Sequence, residues 1–79
     1  MAFYVMIVRL ELTEASADYG FGSNETALGR LRIDRGTGDV TLLSPAPGDR
    51  DEHFFKRAAF KVRQHWARGE LPEKTCWAS

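Results

Sequence analysis

The chain has 79 residues, 43% of them hydrophobic, and its 11 Lys and Arg balance its 11 Asp and Glu. This length holds one small hydrophobic core and excludes a two-domain organisation. The balanced charge also argues against the strongly basic profile of dedicated nucleic-acid binders.

Cysteine content and hydropathy set two further expectations. Cys76 is the single cysteine, so no disulfide can form within the chain, and a lone thiol is typical of a reducing compartment. No run approaches the roughly 20 apolar residues that a membrane-spanning helix needs. The sequence therefore predicts a soluble, cytoplasmic protein without membrane partners, in which oligomerisation is expected to supplement a marginal core.

The first predicted element is a strand over residues 3–12, where apolar and β-branched residues alternate. One face carries the longer apolar set and is predicted to point to the core: Tyr4, Met6, Val8, Leu10 and Leu12. The opposite face is apolar at its start too, with Phe3, Val5 and Ile7. One end of this strand is therefore expected to be covered on both sides.

Residues 13–26 are polar and interrupted by glycines, which predicts a long connection whose Tyr19 and Phe21 can tuck back against the body. A second strand is predicted over residues 27–34, with Leu31 and Ile33 inward and Arg30 outward. The stretch from Asp34 to Val40 predicts a hairpin with positive φ at its two glycines, Gly36 and Gly38, and leads into a third strand over residues 40–43.

A helix is predicted over residues 51–68. Asp49 is expected to cap its start, with Glu52 completing a capping box, and Gly69 suits the left-handed position after its end. Helical spacing of about 100° per residue collects one apolar stripe for the core, formed by Phe55, Ala58, Ala59, Val62 and Trp66, with Phe54 at its margin. Residues 70–79 are interpreted as a tail.

These elements predict an α+β fold of one domain: a three-stranded antiparallel meander (β-β-β-α), with its second strand central and the C-terminal helix packed on one face. Such a two-layer fold gives Phe3, Val5 and Ile7 nothing internal to contact. The sequence therefore predicts a small non-enzymatic interaction module that binds itself, as a homodimer, or another protein, with those three residues as a contact surface. The loop carrying Tyr19 and Phe21 is the competing cover.

Phe60 is a second candidate for partner binding, because it lies about 140° from the centre of the helical stripe, where solvent is expected. The favoured explanation of its position is that the tail covers it with Leu71 or Trp77, and contact with another chain comes second. Cations surround it on the outer face of the helix, and an alternative function is a nucleic-acid accessory protein that uses Arg57, Lys61, Arg63 and Arg68. A solvated outer face also explains these cations, so nucleic acid is the second hypothesis.

Catalytic, metal and cofactor sites are not predicted. His53 and His65 are twelve residues apart and point about 120° apart on a helix, which does not suit a metal pair. Cys76 has no second cysteine near it, and Gly20 and Gly22 lack the third glycine of a dinucleotide-binding loop. No cofactor is expected, and an enzyme is the least favoured class.

Overall fold

The computed structural model describes residues 4–78 and forms one antiparallel sheet with strand order β4-β3-β2-β1-β5. One α-helix within these described residues packs on one face of the sheet, and a short 3-10 turn, Arg50–Glu52, precedes it. The elements in chain order are β1 (Tyr4–Leu12), β2 (Ser16–Gly22), β3 (Gly29–Asp34), β4 (Val40–Ser44), α1 (His53–Ala67) and β5 (Lys74–Ala78). Over residues 4–78 no helix is long and apolar enough to span a membrane.

The α+β class and the helix on one face are confirmed, but the three-stranded meander is wrong by two strands. Strand β2 lies inside the predicted loop, and β5 lies inside the predicted tail, after the helix. The predicted second strand corresponds to β3, and the centre of the sheet is β2 instead. The helix is therefore followed by a strand that returns to pair with β1.

Strand β2 forms because alternate residues of a glycine-containing segment meet the core. Ala17, Tyr19 and Phe21 are buried beneath the helix. Gly20 lies on the other face, where a Cβ would approach Leu28 Cδ1 to 3.0 Å and Leu10 Cδ1 to 3.4 Å. Glycine is favoured there because neighbouring side chains occupy the space above it.

The core lies between α1 and the sheet, and the predicted helical stripe is confirmed. Ala58 and Val62 are buried, and Trp66 packs against them at the margin. Their counterparts on the sheet are fully buried side chains from three strands: Val5, Ile7, Tyr19, Phe21, Leu31 and Ile33. Each large aliphatic or aromatic side chain in this set contributes about 1.5–3 kcal/mol of burial free energy.

The predicted orientation of β1 is wrong. Val5 and Ile7 point towards the helix and are fully buried, whereas Tyr4 and Leu10 point away from it and are exposed. Both faces of the strand start with apolar residues, and the buried one is selected by the neighbours β2 and β5, which the sequence did not reveal. A bulge between Arg9 and Glu11 also interrupts the alternation.

The helix begins later than predicted. Residues Asp51 and Glu52 have left-handed φ values of 55° and 57°, so α1 starts at His53. The Asp49 carboxylate still caps it, accepting hydrogen bonds from the amides of Phe54 (2.9 Å) and Phe55 (3.2 Å). Glu52 makes no side-chain capping bond, so the predicted capping box does not form.

The glycine predictions are confirmed at two of three positions. Gly69 after the helix has φ 78° and Gly38 in the hairpin has φ 79°. Gly36 is absent from the positive-φ residues of the described chain. A Cβ at Gly38 would lie 2.5 Å from Trp66 Cζ3, so the hairpin tip needs glycine for its conformation and for its contact with the helix.

Candidate interaction surfaces

Among residues 4–78, no helix packs on the second face of the sheet, which we call the open face. Strand β1 places four apolar side chains on it: Tyr4, Met6, Val8 and Leu10. Tyr4 and Leu10 are each 48% exposed, and Met6 and Val8 are half-buried. Val8 pairs with Gly20 and Met6 with Gly22. We call the four β1 side chains the apolar strip. Because the two glycines carry no side chains, the strip projects above the neighbouring strand β2.

The connection between β2 and β3 partly fills the space above Gly20 and Gly22. Leu28 folds back over β2, and its Cδ2 atom would lie 3.4 Å from a Cβ at Gly22. Leu28 is half-buried. It widens the apolar strip from one strand to two.

A charged cluster adjoins the strip on the open face. Arg30 Nη2 donates to Asp18 Oδ2 at 2.8 Å, and Arg32 Nε donates to Asp18 Oδ1 at 2.7 Å. A weaker contact of 3.5 Å joins Arg30 Nη2 to Glu11 Oε2. The two guanidinium groups leave Asp18 only 2% exposed. Hydrogen bonding from Arg32, together with Arg30, holds the pKa of the Asp18 carboxyl below its ordinary value against the effect of burial.

The predicted partner surface of Phe3, Val5 and Ile7 is not formed by the described residues. Val5 and Ile7 are inside the core, so the premise that the fold gives them no internal contact is wrong. Phe3 lies outside the described residues. Tyr19 and Phe21, the alternative cover that the sequence predicts for Val5 and Ile7, do pack beside them in the core. They do so from strand β2 and not from a loop.

Phe60 is exposed, and the prediction that the tail covers it is wrong. Its side chain is 61% exposed and borders a shallow depression with Lys56, Ala59, Arg63 and Gln64. Leu71 and Trp77 pack against the core instead. Phe60 therefore projects from the outer face of α1, away from the buried side.

The predicted nucleic-acid residues differ in their contacts and exposure. The Arg57 guanidinium lies 5.1 Å from the ring centroid of Trp77, and its Nη1 donates to the His53 carbonyl at 3.2 Å. Lys61 is half-buried, whereas Arg63 and Arg68 are exposed. Arg57 therefore belongs to the seam between α1 and β5, and Lys56 and Arg63 flank Phe60 on the outer face of the helix.

His65 links the helix to the last strand. Its Nδ1 lies 3.2 Å from Glu70 Oε1, and its Nε2 lies 3.1 Å from Thr75 Oγ1. Carboxylate, imidazole and hydroxyl in this order resemble the chemical order of a hydrolytic triad. However, Thr75 pairs with Ile7 and so faces the helix, whereas the small depression that it borders beside β5 is lined mainly by open-face residues such as Met6, Val8 and Lys74. These contacts therefore hold the end of α1 against β5.

Two further hydrogen bonds fix the connection between α1 and β5. The buried Tyr19 hydroxyl donates to the Pro72 carbonyl at 2.7 Å, and Arg9 Nη1 donates to the Leu71 carbonyl at 2.6 Å. Burial raises the pKa of Tyr19 to about 12. Sequence reasoning missed these anchors, since their acceptors are backbone carbonyls.

The remaining sequence candidates stay apart. His53 lies 4.0 Å from Asp51 and is not brought to His65. Cys76 is half-buried and free. Across residues 4–78 no group of three or more His, Cys, Asp or Glu side chains could hold a metal ion.

Comparison with known proteins gives no relative: no family model matches the chain, and neither a curated protein nor a solved structure matches it.

Proposed function

We propose that this chain is a small non-enzymatic interaction module that self-associates through the open face of its sheet. The observation that carries the proposal is the apolar strip of Tyr4, Met6, Val8 and Leu10, which lies on the side of the sheet without a helix. In a fold of one sheet and one helical layer, this uncovered face is where a further layer would pack. A second copy of the chain supplies such a layer.

The charges on the open face favour a second copy over an unrelated partner. Arg30 and Arg32 are balanced by Asp18 and Glu11 within one cluster, so the face has both signs and no net charge from these four groups. Two copies related by a twofold axis can place Arg32 of one against Glu11 of the other. A symmetric interface requires this kind of self-complementary surface.

The size of the face predicts a weak, reversible dimer. Five strands at a spacing of about 4.8 Å and a rise of about 3.3 Å per residue give a face of about 24 by 20 Å. Two copies would bury roughly 1,000 Å² in total, which is at the lower limit for specific interfaces. We therefore expect the fraction of dimer to rise with protein concentration between the micromolar and the millimolar range.

Two leucines of β1 give a matched test. Leu10 is 48% exposed on the open face, and Leu12 is 45% exposed. Leu12 pairs with Ala17, a core residue, so it lies on the helix side. Leu10→Lys should abolish association in sedimentation equilibrium, whereas Leu12→Lys should leave it unchanged.

Urea unfolding of both variants checks that the fold is intact. Both leucines are about half exposed, so the two substitutions should change stability by similar, small amounts. A wild-type chain that stays monomeric at millimolar concentration would disprove the proposal. So would equal loss of association in the two variants.

A further inference from the structure

The arginines of the sheet and the cations of the helix differ in whether a carboxylate lies near them. Arg9, Arg30 and Arg32 each have a carboxylate within 4 Å. In the described part of the chain, no carboxylate reaches that distance from Lys56 or Arg63. The helix itself contains no acidic residue from His53 to Ala67. Its outer face is therefore a local region of uncompensated positive charge.

Phe60 stands in the middle of this region. Lys56 precedes it by one turn and Arg63 follows it by one turn, so the three side chains share one face of the helix. Ala59 and Gln64 border the same shallow depression. An exposed aromatic ring between two free cations presents a flat apolar group and two sites for anions.

We infer that the outer face of α1 binds single-stranded nucleic acid, with Phe60 stacked on one base and Lys56 and Arg63 against flanking phosphates. A base supplies the planar partner that the ring lacks, and the backbone supplies the anions. In a duplex, the bases are stacked on one another and cannot reach Phe60. A single strand is therefore favoured over a duplex.

Other anionic partners fit this face less well. Helices that bind anionic membranes bury a wide apolar face in the lipid. The apolar stripe of α1 is already buried in the core, and only the Phe60 ring projects from its polar face. An acidic peptide would neutralise Lys56 and Arg63 but offers no planar group for Phe60. Both partners are alternatives that the experiment can distinguish.

The test is fluorescence anisotropy with a labelled oligothymidine of about 15 nucleotides, long enough for typical single-strand sites, at about 50 mM salt. Phe60→Ala should weaken binding by about 5- to 150-fold, the range found for loss of one stacked base. Phe60→Trp should retain it. Arg63→Ala should reduce the slope of log affinity against log salt by about 0.7, the value for one phosphate contact with a single strand.

Lys74→Ala is the matched control for charge. Lys74 pairs with Val8 and lies on the open face, so its removal changes net charge equally and should leave the salt slope unchanged. Absence of binding to the oligonucleotide would overturn the inference. Equal or tighter binding to the matching duplex, to phosphatidylserine vesicles or to polyglutamate would overturn it as well. Because α1 and the open face lie on opposite sides of the sheet, this inference and the proposed self-association can fail independently.

Discussion

Replacing Tyr19 by Phe should destabilise the protein at pH 8 and have almost no effect at pH 11. The Tyr19 side chain is fully buried, and its hydroxyl donates a 2.7 Å hydrogen bond to the Pro72 carbonyl. Loss of a buried hydrogen bond and the unpaired carbonyl cost about 1–2 kcal/mol. Since the ring itself is retained in Phe, the core should not open a cavity.

The pH dependence follows from the ionisation of the same group. Burial raises the pKa of Tyr19 from 10.0 to about 12, so the unfolded chain ionises first as pH rises. The stability that the neutral hydroxyl contributes is complete below pH 10 and is lost progressively between pH 10 and pH 12. At pH 11 the loss is about one pKa unit, or about 1.4 kcal/mol. Tyr19→Phe cannot undergo this loss.

The measurement is urea unfolding followed by the fluorescence of Trp66 and Trp77, for both proteins at both pH values. A small protein has a urea m value of about 1 kcal/mol/M, so the midpoints should differ by about 1–2 M at pH 8 and nearly coincide at pH 11. Comparing the two proteins at each pH cancels the titration of all other groups. A midpoint difference that is equal at pH 8 and pH 11 would refute the reasoning.

Two further substitutions test local features. Gly38 and Gly48 both have positive φ, at 79° and 76°, but only at Gly38 would a Cβ meet the ring of Trp66. In urea unfolding, Gly48→Ala should therefore lower the free energy of unfolding by about 1 kcal/mol, and Gly38→Ala by about 3 kcal/mol. Equal costs would contradict the predicted clash. Asp18→Asn should lower stability by about 2 kcal/mol at pH 7, because hydrogen bonds from charged donors are lost. Since the pKa of Asp18 is lowered from 3.8, the stability that its carboxylate contributes is present above pH 4 and is lost as pH falls further. The difference in unfolding free energy between wild type and variant should therefore narrow below pH 4. A difference that stays constant would count against the ion-paired carboxylate.

Local signals predicted the helix and the β3–β4 hairpin. Asp49 does cap the helix, the apolar stripe through Ala58 and Val62 does face the sheet, and Gly38 does adopt positive φ. These features depend on residues close to one another in sequence. Patterns of spacing and turn chemistry therefore identify them without knowledge of the rest of the fold.

The two missed strands depend on distant partners. In β2, Gly20 and Gly22 weaken intrinsic strand preference, and the strand is stabilised by pairing with β1 and β3 on both sides. In β5, only five residues form the strand, and it pairs with β1 across the length of the chain. Neither strand has a local signal strong enough to outweigh the glycines and Pro72.

The errors about the interaction surfaces follow from those missed strands. The sequence pattern does not identify β2 and β5 as neighbours of β1, and it therefore predicts Val5 and Ile7 on a surface. In the structure, β2 and β5 flank β1, and α1 covers its inner face. The cluster of Asp18 with Arg30 and Arg32 could be found only after β2 was recognised as a neighbour of β3. The position of Phe60 on the outer face was predicted correctly, because helical spacing alone determines it.

The pairing of β5 with β1 has a consequence for how this protein folds during synthesis. Val5 pairs with Trp77, so one edge of β1 stays unpaired until residues 74–78 leave the ribosome. Before then, the Tyr19 hydroxyl and His65 lack their hydrogen-bond partners, the Pro72 carbonyl and the Thr75 hydroxyl. The nascent chain also exposes a strand edge that can pair with other chains. Arrival of β5 should therefore complete the sheet and form its anchors in one late cooperative step.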